Sequence, residues 1–325
     1  MQRLKGRMAC VCAGCWMAWV VAAHGDPPAV IASADGRWRM EIQAGVGYWA
    51  GDATYSIGGK AWSPDEGTVD LPKKISELTF PLDVPYGSIG GRLTDGRLEF
   101  HGTAMVNLGD PSSQVTDSDW GVFHDDTLDV YSLSDAKLTA VMMDGGARYW
   151  LRKIAPDAGN GWSVGVGPAL HVAMMDWTAS HVDQWYPSRP ELGHEYEAGR
   201  AATYTVAVVM PYLDVCADAR LGKLSGKIGL GAGPVGVADE DDHLLRQKRS
   251  TGEMAGVGIK ASAEIRYEFS KAWFATANVD VFSIEANGTQ TQKGYGGELT
   301  GYYAEIDEEY SFTSVNGGVA VGCKF

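Results

Sequence analysis

From Met254 to Phe269 every second residue is apolar or small. One parity reads Ala255, Val257, Ile259, Ala261, Ala263, Ile265, Tyr267 and Phe269; the other reads Met254, Gly256, Gly258, Lys260, Ser262, Glu264, Arg266 and Glu268. A period of two marks an extended strand with unlike faces. A soluble sandwich also alternates, but it presses its apolar face into a dense core. Here that face is built mainly of small and β-branched residues with aromatics at one end, and the opposite face carries full charges. Such a strand suits lipid on one side and a polar lumen on the other. Trp273, Ala275, Ala277, Val279 and Val281 continue the pattern after a short turn, opposed by Thr276, Asn278 and Asp280, and the 42 glycines agree with it.

An open sheet edge cannot survive in hydrocarbon, so a membrane fold of this kind must close into a barrel. Ten strands are expected, at roughly 37–58, 74–93, 96–109, 124–150, 160–178, 200–217, 221–239, 252–269, 272–288 and 309–325. The connections alternate in length. Those at Asp95-Gly96, Asp218-Ala219-Arg220 and Ser270-Lys271 are tight, and the one at 155–160 is somewhat longer; those near 59–73, 110–123, 179–199, 240–251 and 289–308 are longer. Short turns at one end and long loops at the other suit an even-stranded outer-membrane barrel. Several strands exceed the ~10 residues needed to cross lipid. The expected fold is therefore all-β: a ten-stranded antiparallel transmembrane barrel extending above the outer membrane. Phe325 would close its last strand, as an aromatic does in such barrels. A closed barrel has no free edge, so a monomer is expected.

The first residues read as a secretory signal. Arg3, Lys5 and Arg7 precede an apolar run from Met8 to Ala23, shorter than a spanning helix requires. The expected domains are a signal peptide over 1–25 and one barrel over 26–325. The whole chain carries a net charge of −14. Losing those three basic residues makes it more negative still, which argues against nucleic acid and is compatible with basic partners. Cys10, Cys12 and Cys15 would leave with the signal. Cys216 and Cys323 remain, on opposite strand faces, and are expected to be free thiols with no metal-site spacing. Inward residues such as Lys260 and Arg266 should plug the lumen of so small a barrel, which counts against a pore. His171, His181 and His194 read as loop or lumen residues.

Two acidic clusters remain. Asp117-Ser118-Asp119-Trp120 follows the third expected strand, and Asp239-Glu240-Asp241-Asp242-His243 follows the seventh, so both fall at the extracellular rim. In extended backbone i and i+2 share a face, which groups Asp117 with Asp119, and Asp239 with Asp241 and His243. Ile228, Leu230 and Ala232 take the lipid-facing parity, which turns the second group inward. A carboxylate beside imidazole fixes its tautomer and supports its charged form; a facing carboxylate pair could hold a water and share a proton. The competing reading is a solvated acidic rim or a cation site.

These residues resemble the omptin family of outer-membrane endopeptidases, which are ten-stranded barrels. The family's Asp-x-Asp-Trp matches Asp117–Trp120, its Asp-x-His matches Asp241–His243, and its pocket aspartate matches Asp239. Further agreement lies in Met210-Pro211-Tyr212, His124–Thr127 and the closing aromatic strand. The resemblance implies a surface endopeptidase with a water activated by Asp241 and His243 and positioned by Asp117 and Asp119. It implies a peptide or protein substrate, a basic side chain near Asp239, outer-membrane lipid around the barrel, and no cofactor or metal. Two departures are visible. Tyr55 stands where the family has a glutamate in the pocket wall. The stretches 169–177 and 203–209 lack the family's basic residues for lipopolysaccharide, so lipopolysaccharide dependence does not carry over. A non-proteolytic barrel of the same fold, acting in adhesion or surface structure, is the alternative.

Overall fold

The structure, a computed structural model, describes residues 38–157 and 160–325, without the side chains of 152–157; the expected signal peptide lies outside the described residues. The strands are β1 (Arg39–Ser63), β2 (Gly67–Asp70), β3 (Ser76–Pro81), β4 (Val84–Thr94), β5 (Leu98–Asn107), β6 (Val115–Trp120), β7 (Leu128–Asp157), β8 (Asn160–Trp185), β9 (His194–Leu221), β10 (Leu224–His243), β11 (Lys248–Tyr267), β12 (Trp273–Gly294) and β13 (Tyr303–Lys324). All belong to one antiparallel sheet. It closes where β13 pairs with β1, in register from Glu41↔Lys324 to Trp62↔Glu305. Around the ring, β3 with β4 and β5 with β6 each form one interrupted barrel strand, and β2 is a hairpin on the tip of β1. The count is therefore ten, as the alternation implied.

The outward parity carries an apolar belt. Val46, Ile228, Leu230, Val257, Ile259, Ile265 and Val319 are each 57–68% exposed. Above it the same parity turns polar: Glu240 and Asp242 on β10, Thr251 and Glu253 on β11, Glu285 and Thr289 on β12, Asp307 and Glu309 on β13. The belt marks the height a bilayer's hydrocarbon would occupy, and everything past it projects into water.

Inside, side chains fill the lumen. At belt level Arg266 donates to Glu41 at 2.6 and 2.9 Å, Arg148 donates to Glu99 at 2.7 Å and to Asp214, and Lys260 donates to Asp144 at 2.5 Å and to the Tyr212 hydroxyl at 3.2 Å. Charges buried this way persist only when paired. Higher up, Trp49, Phe80, Trp177, Tyr204 and Phe312 form a buried aromatic layer, with Phe80 stacked on Tyr204 at 4.3 Å. Lys260 and Arg266 thus act as the plug expected of them. Cys216 faces inward and Cys323 lies on the opposite face, both free.

Two expectations need correction. Both acidic clusters were placed after strands, yet Asp117 and Asp119 lie within β6, and Asp239, Asp241 and His243 within β10. The reason is pairing: above the belt the strands continue wherever a neighbour offers a ladder, as Asp241 does between Tyr204 and Ser250. The long loops shrink accordingly, to 186–193, 244–247 and 295–302. The third barrel strand is also broken, leaving the ladder with β7 after Asn107 and rejoining it at Val115. Side chains patch the gap. Asn107 donates to the Leu138 carbonyl at 2.7 Å and accepts from the Ala140 N–H at 2.7 Å, while Asp110 accepts from the Leu138 N–H at 3.2 Å. Backbone groups of β7 that lack a strand partner are thereby satisfied. This detour sets β6, and the two aspartates on it, between β3 and β7.

Candidate functional site

Four strands bring the polar site together above the aromatic layer. On β10, inward parity gives Asp239, Asp241 and His243; on β6 it gives Asp117 and Asp119; on β1, Tyr55; on β13, Glu308. His243 Nε2 lies 2.8 Å from Asp241 Oδ2. The Tyr55 hydroxyl donates to the same oxygen. Asp241 is 2% exposed, and burial raises its pKa, but the charge and hydrogen bond of His243, with the Tyr55 bond, hold it below the ordinary carboxylate value. It is the ionised partner of the pair.

Asp117 and Asp119 face this pair. Burial, then the charge of Asp119, pushes Asp117 up to about 6, while His243 and Arg246 oppose the rise. Asp117 Oδ1 is buried without a hydrogen-bond partner. Asp119 Oδ2 accepts from Arg246 Nη2 at 3.0 Å, so the turn after β10 returns a guanidinium onto the acid pair. A cavity of about 390 Å³ opens over the cluster, lined by Tyr55, Asp119, Trp120, His243, Arg246 and Lys248 among others. Larger depressions lie on the belt, one between Val46, Ile265, Ala277 and Val319, and are outer barrel surface.

Beneath the cavity sits a second acid pair. Asp239 accepts from the Tyr204 hydroxyl at 2.8 Å, and Glu308 accepts from Gln290 Nε2 at 2.8 Å. Burial and the charge of Asp239 push Glu308 up to about 9; burial likewise raises Asp239 to about 6, against hydrogen bonds from Tyr204, Gly252 and Glu308. Two close carboxyls resist ionising together, so Glu308 keeps the proton and shares it with Asp239. A Cβ on Gly252 would overlap Glu308 Oε2 and lie 2.5 Å from Asp239 Oδ1, so glycine is what gives the pair room.

The structure thus brings Asp117, Asp119, Asp241 and His243 into one cleft. It places the other two expected site residues differently. Tyr55 stands in the cavity wall but is 2% exposed with its hydroxyl spent on Asp241; Asp239 is 8% exposed and lies under the floor. Glu308, Arg246 and Lys248 were not anticipated. Glu308 had a signal, as a charge on a β13 parity otherwise reading Ala304, Ile306, Tyr310 and Phe312. A Gly-x-Ser-x-Gly pattern at Gly161–Gly165 does not form a nucleophile elbow: Ser163 sits within β8, near the tight-turn end of the barrel and away from this cleft. Among the described residues no group of three or more His, Cys, Asp or Glu is arranged to hold a metal ion.

No family model matches the chain, and no curated relative matches it. Solved structures do. The outer membrane protease OmpT from Escherichia coli superposes with a TM-score of 0.69 at 16% identity, over 88% of this chain and 97% of that one. The translocator domain of the autotransporter NalP from Neisseria meningitidis gives 0.35 at 12% identity over 98% of both chains, and a Pseudomonas aeruginosa FadL homologue gives 0.28 at 10% over 88% and 90%; scores this low carry no argument. The resemblance read from the motifs therefore holds at the level of architecture: the chain has the ten-stranded fold of an omptin outer-membrane protease.

Proposed function

We propose that this protein is an outer-membrane endopeptidase whose cleft faces the cell exterior. The observation that carries the reading is the Asp241–His243 pair at 2.8 Å in the same cleft as Asp117 and Asp119, above the apolar belt. With Nε2 bound to Asp241, the imidazole has Nδ1 left to accept a proton from water. That water attacks the peptide carbonyl carbon. The imidazolium formed is stabilised by Asp241 and then protonates the leaving amine. Asp117 and Asp119 hold the water, and a raised Asp117 can share a proton with the tetrahedral intermediate. The substrate is a peptide or protein reaching the surface, and the chain works as a monomer in outer-membrane lipid.

The Asp119–Arg246 ion pair favours a second reading, a non-proteolytic surface barrel with a neutralised rim. One experiment separates them. The refolded barrel is given a diverse peptide library with and without lipopolysaccharide, beside His243→Ala and Asp117→Ala. Cleavage by the wild type, with loss in both folded variants, supports the endopeptidase. No cleavage by folded wild type in either condition rejects it in favour of the second reading.

A further inference from the structure

The pocket that would take a basic side chain is closed here; in the open cavity Asp119 is already paired with Arg246, and Lys248 adds a further cation. Asp239 and Glu308 are 8% and 1% exposed and engaged with neighbours below the cavity floor, and Tyr55, in the cavity lining, is 2% exposed with its hydroxyl on Asp241. Lys248 lines the cavity as well. It is the direct cross-strand partner of His243 in the β10–β11 ladder and faces inward with it. Cross-strand partners carry their Cβ atoms about 5 Å apart.

The Lys248 ammonium makes one hydrogen bond, 3.3 Å to Gln292 Oε1, and among the described residues no carboxylate lies within ion-pair distance of it. The glutamine is itself held. Gln292 Nε2 donates to Gln290 Oε1 at 2.7 Å, and Gln290 Nε2 donates to Glu308 at 2.8 Å. This relay anchors each amide nitrogen toward the buried acid and leaves an amide oxygen for the lysine. An ammonium has three donors, so two are unspent. Arg246 lines the same cavity with one guanidinium nitrogen on Asp119. Ile57, Ile75 and Ile306 supply an apolar wall against which a methylene stem can lie.

We infer that this cavity is a subsite for an acidic side chain, glutamate or aspartate, next to the scissile bond. Lys248 is its specificity-determining residue, and the protein cleaves at acidic rather than basic residues. The inference rests on the endopeptidase reading for its cleavage statement, but the subsite itself can be tested by binding alone.

The test uses the full refolded barrel and two measurements. In the first, kcat/KM is compared for peptides identical except for Glu, Gln or Lys flanking the cut. A charge-assisted hydrogen bond gained or lost should favour Glu over Gln by about tenfold or more, with Lys poorer still. Lys248→Glu should invert the order of Glu and Lys. In the second, fluorescent forms of the Glu and Lys peptides are bound to the non-hydrolysing His243→Ala barrel, with and without Lys248→Glu. Tighter binding of the Glu peptide, reversed by Lys248→Glu, supports the subsite even where the wild type cleaves nothing; in that case only the endopeptidase reading fails. Equal binding of the two peptides, or a preference that Lys248→Glu leaves in place in a folded barrel, overturns the inference.

Discussion

Replacing Tyr55 by phenylalanine removes one oxygen from the centre of the site and leaves the ring, which packs 6.3 Å from Phe80 and 5.2 Å from Tyr204. The hydroxyl donates to Asp241 Oδ2, the oxygen that also meets His243, while Asp241 Oδ1 already has no hydrogen-bond partner. The variant therefore leaves a buried carboxylate held by His243 alone. A hydrogen bond to a charged group contributes about 1.5–3 kcal/mol. Losing it should raise the pKa of Asp241. The sign follows from linkage. Asp241 is held below its ordinary value of 3.8, so it contributes stability that is present above that value and lost as pH falls through the folded pKa. Tyr55→Phe shrinks that contribution. Urea unfolding of the refolded barrel, followed by tryptophan fluorescence, should show a full deficit at pH 7 that narrows as pH drops below about 4. The acid limb of kcat/KM should move upward by the same shift. An unchanged midpoint at pH 7, or an equal deficit at pH 7 and pH 3, would refute the assignment of Tyr55 as the group holding Asp241 ionised.

Three other outcomes follow from the same geometry. Glu308 keeps its proton up to about 9 in the fold against an ordinary value of 4.5, so its contribution to stability is whole below 4.5 and declines as pH rises toward 9; Glu308→Gln should flatten that decline, read as the slope of unfolding midpoint against pH. Gly252→Ala would put a methyl on the Asp239–Glu308 pair and should cost about 1–3 kcal/mol, seen as a lower urea midpoint, and a neutral result would contradict the close approach. Asn107→Val strands the Ala140 N–H and the Leu138 carbonyl of β7, at about 1–3 kcal/mol for each group left unpaired in the protein interior; faster hydrogen exchange at Ala140 checks it.

The fold was legible because lipid imposes a simple rule on sequence. Outward residues must be apolar and inward ones need not be, so Val257, Ile259 and Ile265 alternating with Gly258, Lys260 and Glu264 reveal strand, face and register together. The same parity put Asp239, Asp241 and His243 inside, and the structure agrees. Above the belt the rule stops. Both faces there meet water, so strand and loop compositions converge, and the strands at 240–243 and 115–120 could not be told from loops. The detour at 108–114 depends on Asn107 and Asp110 reaching β7, a contact between segments some thirty residues apart. Tyr55 and Asp241 are 186 residues apart, and Asp119 and Arg246 are 127 apart. The sequence by itself determined the barrel, its strand count and the identity of the acid–histidine groups, because those follow from local periodicity and spacing. Only closure of the ring, which lays β1 and β13 beside each other and faces β6 toward β10, decided which carboxylates are buried and which share a proton.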